Sequence, residues 1–489
     1  EGRHPREVAG HYHREFVQNL TALGFSFDRY AATMDPEHQE QVKAIIVHLY
    51  REGWLYPRVQ KQVWCDQCKQ FLPDRYVEGN CPRCGAAGAR GDQCDACGSL
   101  LDPGDLGERR CKLCGEPPGE KETQHLFFKL SGLQKEVEQL LAENGRNGRV
   151  NPREMPRRYL REGLQDRAIS RDIDWGIPVP IAGYEGKRIY VWFEAVLGYL
   201  TTSRRWAEER GEPDVWKEFW NREAISYYVH GKDNIPFHTV IFPGLLLAMA
   251  EDYNLPNRVI SSEFLTIEGK KLSTSKNWAI WIPDFLENYR ADALRYFLTV
   301  NGPEARDADF SWREFVERNN GELAGAWGNL VNRTGSFIQR YFAGKIPGGA
   351  NPEGKQLLEE IEAVFSSAGK AIEEGRFKEA LKLAFEQIRA CNKYFDSQAP
   401  WQTIKTDKAA CAATIAVCIH AIADLAVLTA PFMPFASETI LKALGLEKVF
   451  WQAQTIPAGT PFTKPGILFP NLDKAQSGEK WHSFLFKLL

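Results

Sequence analysis

Eight of the eleven cysteines fall between residues 65 and 114 in four C-x-x-C pairs, Cys65/Cys68, Cys81/Cys84, Cys94/Cys97 and Cys111/Cys114, separated by 12, 9 and 13 residues. A C-x-x-C turn aims two thiolates at one point, and two such turns complete a tetrahedral Zn–S₄ site that is closed to substrate and therefore structural. Eight ligands predict two zinc ions. Cys81, Cys84, Cys94 and Cys97 close a short inner loop, and Cys65, Cys68, Cys111 and Cys114 clamp its ends. Glycines at 85, 98 and 115 follow three of the pairs, where the backbone must turn tightly. Redox dithiols and iron–sulfur ligation are weaker readings, because redox pairs do not come in fours inside a loop with no apolar core. Such cysteine use belongs to a reducing compartment.

A second chemical stretch is "EGKKLSTSKN", residues 268 to 277, which follows the apolar-alternating run Val259 to Ile267. Alone, a loop of lysines and hydroxyls after a strand is an ordinary solvated turn. It has company in "YVWFEAVLGY" (190 to 199) and "HGKDNIPFH" (230 to 238), each following an apolar strand-like run and ending in polar or aromatic groups. Open α/β sheets bind their ligands at such strand ends.

These groups need a scaffold, and 489 residues are too many for one hydrophobic core. With 43% hydrophobic residues, 26% charged and a net charge of −3, the chain has ordinary globular composition, so any nucleic acid must be met by local patches. The opening "EGRHPREVAGHYHREF" has no signal-peptide pattern, and the most apolar stretch, Cys411 to Phe435, carries His420, Asp424, Pro431 and Pro434. It reads as a core helix, not a membrane span. Cys391, Cys411 and Cys418 sit at apolar helical positions and read as core.

The pattern along the chain is α/β first and all-α afterwards. Val8, Tyr12, Phe16 and Leu20 mark one helix and Val42, Ile45, Ile46 and Leu49 another, with a short strand-like piece, "FSFDRYAATMD", between them. After the cysteine insert, residues 63 to 117, come a helix with Leu133, Val137, Leu140 and Leu141, a linker around 144 to 153, and an arginine-rich helix from 156 to 163. "RIYVWF" and "SYYVHG" then predict strands of a parallel sheet, each followed by a helix. From about Asn320 the spacing of Leu357, Ile361, Val364, Ala368 and Ile372, and of Phe377, Leu381, Ala384, Ile388 and Cys391, predicts an antiparallel helix bundle.

Together, "LGFSFDRYAATMDPEHQE", the four knuckles, "FLPDRYVEGNCPRC", "REGLQDRAISRDIDWGIPVP", "YVWFEAVLGYL", "HGKDNIPFHTVIFPGLL", "EGKKLSTSKN", "YRADALRYFL", "GNLVNR" and "SQAPW" resemble the methionyl-tRNA synthetases, class I aminoacyl-tRNA synthetases, collinearly from near residue 1 to about residue 470. The resemblance implies a Rossmann-type parallel sheet, incomplete at its N-terminal side, a zinc-knuckle insertion and a helical anticodon-binding domain. Its divisions are 1–50 (remainder of the first Rossmann half), 51–185 (connective insertion), 186–265 (second half), 266–322 (signature-loop domain) and 323–489 (helical domain). The implied activity is methionine–tRNA ligation, with ATP, Mg²⁺ and two structural Zn²⁺. tRNA(Met) is the partner, and a cytoplasmic monomer without a further C-terminal tRNA-binding extension is expected.

Residue by residue, the resemblance makes Lys271, Ser273 and Ser275 the mobile loop that closes over ATP, with Thr274 standing where the family commonly has a second lysine. Lys270, Lys271 or Lys276 then supplies that charge. Trp192, Ala195, Val196, Tyr199, Phe237 and His238 match the methionine pocket, with Val196 in place of the usual proline and Tyr199 as hydroxyl donor to the thioether. Gly231 and Asp233 match the ribose-binding pair, and Asn329, Arg333 and Trp401 the anticodon readers. The arginines of 149 to 171 read as a solvated face, some of them meeting the tRNA acceptor end. The family's His-x-Gly-His signature occurs nowhere in these residues and is expected before residue 1, with the aspartate turn for the substrate ammonium. Two other readings stand beside this one: a class I synthetase for Leu, Ile, Val or Cys, and a non-catalytic tRNA-binding derivative.

Overall fold

In the computed structural model, residues 3–73, 76–91, 94, 101, 103–143, 149–274 and 277–473 are described. The helix Pro36–Arg51 buries Val42, Ile45, Ile46 and Leu49, one stripe at helical spacing, and Pro36 opens it where a missing N–H costs nothing. That stripe joins Leu126, Phe128, Phe193, Leu200 and Phe242 in the core of the α/β half. "FSFDRYAATMD" forms no strand; it crosses the surface as irregular chain, with Arg29 paired to Asp35 and Glu209 instead of to a neighbouring ladder.

The cysteine insert sits at the tip of a long antiparallel ribbon. Leu55–Cys65 and Gly119–Phe128 pair from Leu55↔Phe128 to Trp64↔Gly119, at the centre of a four-stranded sheet. Among the described residues the insert packs Val63, Leu72, Val77, Ala89 and Leu106 around its cysteines, with Ala86 and Leu101 partly buried beside them, which is little apolar surface to hold a fold unaided.

One of two parallel strand pairs among the described residues is Tyr227–Gly231 with Arg258–Ser262, in register from Tyr227↔Arg258 to Gly231↔Ser262. Their crossover runs through Phe242–Ala248, buried almost all round as a helix covering a sheet must be. Two strand expectations need correction. "RIYVWF" gives only a two-residue strand, Arg188–Ile189, antiparallel to Ser170–Arg171, and then turns into the helix Val191–Ala195. The short apolar run Ile189 to Phe193 carries no period that separates the two outcomes. Val259 to Ile267 is two strands, because Glu263 N–H turns to Pro303 O at 2.8 Å and Leu265–Ile267 joins a different sheet, beside Ala308–Phe310. The arginine-rich helix also begins earlier than expected, at Asn151, since Pro152 lies in its first turn.

The all-α half runs from Trp312 through an unbroken helical stretch to Tyr341, then through Pro352–Glu373, Phe377–Gln398, Pro400–Thr406, Lys408–Thr429 and Pro434–Ala443. Lys408–Thr429 is long and apolar enough to cross a membrane, but 89% of that window is buried inside the bundle, so it is the central core helix. Cys391, Cys411 and Cys418 are buried with it.

Arg149 is among the side chains that join the two halves, as is Arg295, which donates to Leu23 O and to Pro431 O and Phe432 O. Arg149 Nη1 donates to Ser261 O at 2.7 Å and to Ser262 Oγ at 3.2 Å, while Nε and Nη2 donate to Gly375 O at 3.0 and 2.9 Å. Its Nη2 also pairs with Glu304 at 3.3 Å, and the Glu304 carboxylate accepts the Lys378 N–H at 3.0 Å in the first turn of Phe377–Gln398. An anion there complements the helix dipole. Gly375 has φ +72°, and a Cβ on it would lie 2.9 Å from Ile260, so glycine is required at this junction.

Candidate active site and metal centre

The aromatic wall is built from two short helices and one strand end. Val191–Ala195 presents Trp192, the helix Gly198–Glu209 presents Tyr199, and the turn after Tyr227–Gly231 leads to Phe237 and His238. Tyr199 and Trp192 are 40% and 46% exposed, while His238 is 4% exposed behind them. The Tyr199 hydroxyl lies 2.8 Å from His238 Nε2, and His238 Nδ1 lies 2.9 Å from Asn234 O. A carbonyl only accepts, so Nδ1 carries the ring proton and Nε2 accepts a hydrogen bond from the tyrosine hydroxyl. Burial, with His230 beside it, depresses the His238 pKa to about 4. His230 stacks on His238 with centroids 4.1 Å apart, and Tyr228 packs edge-on against Tyr199 at 5.0 Å. Neither His230 nor Tyr228 was singled out by sequence; His230 lay inside "HGKDNIPFH", and only its place at a strand end marked it.

The wall divides two spaces. Ala195, Tyr199 and Tyr228 line a cavity of about 860 Å³, while Phe237 and Asp233 line a second of about 690 Å³. Gly231 closes its strand with open space where a Cβ would stand, and Asp233 is exposed in the next turn. That turn is held by Lys232, which reaches Glu263 at 2.8 Å and Asp307 at 2.9 Å and lies 4.0 Å above the Phe264 ring. A backbone-level opening beside a free-standing carboxylate suits a sugar diol.

"EGKKLSTSKN" is a hairpin, not a frayed strand end. Glu268 and Gly269 have φ +48° and +73°, the two-residue turn that matches strand twist, and Lys270–Lys271 folds back on Thr266 and Ile267. Ser273 and Trp278 then exchange backbone hydrogen bonds at 3.0 and 2.9 Å, closing a second turn. Lys270 and Lys271 are both exposed strand residues, and Lys270 Nζ stands 4.6 Å over the Trp278 ring. Ser275 and Lys276 lie outside the described residues.

In the insert, the sulfurs of Cys65, Cys68, Cys111 and Cys114 lie within 4.8 Å of one another, as do those of Cys81, Cys84 and Cys94; Cys97 lies outside the described residues. Cys65 to Cys114 is 3.5 Å, Cys68 to Cys111 3.9 Å and Cys84 to Cys94 3.7 Å. A zinc tetrahedron with bonds of about 2.3 Å has edges of about 3.8 Å, so the spacing suits a metal and is far too long for disulfides. Backbone N–H groups of Cys68 and Arg83 point at the sulfurs of Cys65 and Cys81, at 3.3 and 3.4 Å, as thiolates require. Gly85 and Gly115 take φ +73° and +81° and return their N–H to the first cysteine's carbonyl.

With this geometry in place, similarity to known proteins decides the family. The model of class I (M) tRNA synthetases matches residues 1–335, and that of the anticodon binding domain of methionyl tRNA ligase matches 346–485. A methionine–tRNA ligase of Bacillus mycoides is 48% identical over 479 residues, 97% of this chain and 87% of that protein. The chain belongs to the methionyl-tRNA synthetase family. A methionine–tRNA ligase of Alkaliphilus oremlandii is also 48% identical, over 476 residues, 97% of this chain and 87% of that one. The Mycobacterium tuberculosis methionyl-tRNA synthetase, solved with methionyl-adenylate, shares the fold with TM-score 0.78 at 25% identity, over 96% of this chain and 88% of that one.

The helical half of this synthetase brings the three expected anticodon residues near one another. Asn329 and Arg333 lie one turn apart on Asn329–Tyr341. Arg333 Nη2 bonds Asp396 at 2.6 Å, with its guanidinium 4.2 Å from the Phe395 ring and 5.9 Å from that of Trp401. Trp401, 42% exposed, opens the helix Pro400–Thr406 after Ala399, whose φ of +40° breaks the chain direction. The expected domain boundary at 322/323 falls inside the continuous helix.

Proposed function

We propose that the chain is a methionine–tRNA ligase that joins the methionine carboxylate to ATP, releasing pyrophosphate and forming methionyl-adenylate, and then passes the methionyl group to tRNA(Met). The 48% identity to methionine–tRNA ligases over 97% of the chain carries the reading, supported by the aromatic wall at the parallel strand ends. Trp192, Ala195, Tyr199, Phe237 and His238 hold the thioether side chain, where ring contacts with a polarizable sulfur do most of the recognition. Gly231 and Asp233 take the ribose. Lys271, Ser273 and Ser275 close on the nucleotide, where Mg²⁺ accompanies the phosphates.

Adenylation is an in-line displacement at the α-phosphorus, so it is favoured by cations arriving at the leaving pyrophosphate. The exposed Lys271 on a hairpin arm is placed to do this. The two cysteine sets hold structural zinc, which supplies folding energy to a coreless insert. Asn329, Arg333 and Trp401 read anticodon bases by edge hydrogen bonds and stacking. We read residues 1–50 and 186–265 as the nucleotide-binding halves, 51–185 as the insertion, 266–322 as the signature-loop domain and 323–489 as the anticodon domain of a cytoplasmic monomer.

The test is amino-acid-dependent ATP–pyrophosphate exchange, followed by charging of tRNA(Met). Exchange with methionine far above that with leucine, isoleucine, valine or cysteine is expected. Exchange with one of those four instead would reassign the substrate, and tRNA binding with no exchange at all would leave a non-catalytic tRNA-binding protein.

A further inference from the structure

Behind the aromatic wall lies a polar cluster that the functional reading does not use. His38, Glu194 and Thr201 are 6%, 3% and 3% exposed. His38 Nδ1 lies 2.8 Å from Thr201 Oγ1, and His38 Nε2 lies 2.7 Å from Glu194 Oε2. The Thr201 hydroxyl donates to Gly198 O at 3.2 Å, so its oxygen must accept the Nδ1 proton. One further proton then has to stand between Nε2 and the carboxylate, because two lone pairs do not meet at that distance. The pair is neutral as a whole, which is how a carboxyl can be sealed among apolar residues.

Position gives the cluster its meaning. Glu194 belongs to Val191–Ala195, the helix that carries Trp192, and Thr201 lies two residues beyond Tyr199 on Gly198–Glu209. A five-residue helix is far too short to hold its own direction, so its orientation must be imposed from outside. His38 reaches both helices from Pro36–Arg51, across 156 and 163 residues of sequence. His38, Ala195, Tyr199 and Thr201 also line the same cavity.

Resting on the assignment of Trp192, Ala195 and Tyr199 to methionine, we propose that His38, with Glu194 and Thr201, is a positioning clip that fixes the spacing of the two helices and thereby the width and selectivity of the methionine pocket. His38 and Thr201 border the cavity with little exposed surface, and Glu194 is sealed behind it. They act through Trp192 and Tyr199, so their loss should register in methionine recognition and not in ATP recognition.

The experiment compares wild type, Glu194→Ala, Glu194→Gln and Thr201→Val in pyrophosphate exchange, with KM for methionine and for ATP measured separately and norleucine as a competing substrate. Glu194→Ala is expected to raise the methionine KM by about tenfold and to narrow the preference over norleucine, with the ATP KM within about twofold of wild type. Glu194→Gln, whose amide can donate to Nε2, should recover most of both. Thr201→Val keeps the volume and tests the other arm if Glu194→Ala does not fold. A variant set that lowers the melting temperature or kcat while leaving the methionine KM and the norleucine ratio unchanged overturns the clip. Wild-type protein that does not exchange with methionine overturns instead the functional reading beneath it.

Discussion

The hydroxyl of Tyr199 donates a hydrogen bond to His238, and the direction of that 2.8 Å bond is set by Asn234, whose carbonyl claims the ring N–H at 2.9 Å. Recognition of a thioether by a donated tyrosine proton, expected from the residue type alone, therefore does not describe this arrangement. The proton is already engaged, and the tyrosine offers the pocket its ring face and its oxygen lone pairs. On the proposed reading, selectivity falls to the shape of the aromatic wall, and so to the groups that aim its helices.

His238 should leave a mark on stability against pH. Its pKa is about 4 in the fold against an ordinary value of 6.5, so between those pH values the unfolded chain binds a proton that the folded chain refuses. Stability is lost as pH falls from about 6.5 to about 4, by about 3 kcal/mol from this group. Denaturant titrations of wild type and His238→Gln across that range should converge as the pH falls. A constant difference between them would show that His238 does not titrate in this way.

Zinc content separates one metal site from two. Elemental analysis of the folded protein should give two zinc ions per chain, and Cys111→Ser should give one, since Cys111 stands with Cys65, Cys68 and Cys114 and away from the Cys81, Cys84 and Cys94 cluster. One zinc in the wild type would end the two-site reading.

Trp401→Ala should weaken tRNA(Met) binding by about 1–3 kcal/mol, the value of one lost base stack. Methionine-dependent pyrophosphate exchange should stay nearly unchanged, because Trp401 packs near Arg333 and Phe395 in the helical half. Filter binding and exchange assays on the same preparation make the comparison, and equal damage to both would remove Trp401 from base recognition.

Lys271→Ala should lower the adenylation rate by about a hundredfold while the methionine KM moves by less than about threefold, the pattern of a group that acts on the transition state alone. Rapid-quench measurement of adenylate formation resolves the two quantities. A large rise in methionine KM at unchanged rate would assign Lys271 to ground-state binding.

What the sequence made legible was what is local. The knuckles could be read because C-x-x-C is a single turn, and the grouping of Cys65, Cys68, Cys111 and Cys114 apart from Cys81, Cys84 and Cys94 because one pair of turns nests inside the other. Tyr227–Gly231 and the helices of the bundle could be read from their period. Residues 188 to 193 could not, since the short apolar run Ile189 to Phe193 serves a strand and a buried helix equally well. The His38 cluster had no signature at all, because its members meet across more than 150 residues and each alone is an ordinary side chain. Arg149 was read with its neighbours as part of a solvated face, yet it is only 8% exposed, pulled in by carbonyls contributed from two distant segments.

That arginine makes a rod and a pivot of what was described above as a junction. From Phe377 to Asp396 the helix runs about 28 Å at 1.5 Å per residue, and a tilt of about 3° at its start displaces its far end by roughly 1.5 Å. Asp396 at that far end holds Arg333 near Trp401, while at the near end Arg149 grips Gly375 and Ser262, the residue paired with Gly231 across the parallel strands. The strand that ends at Gly231 and the surface that carries Trp401 thus stand at the two ends of one helix, whose near end is held by Arg149 and Glu304 together.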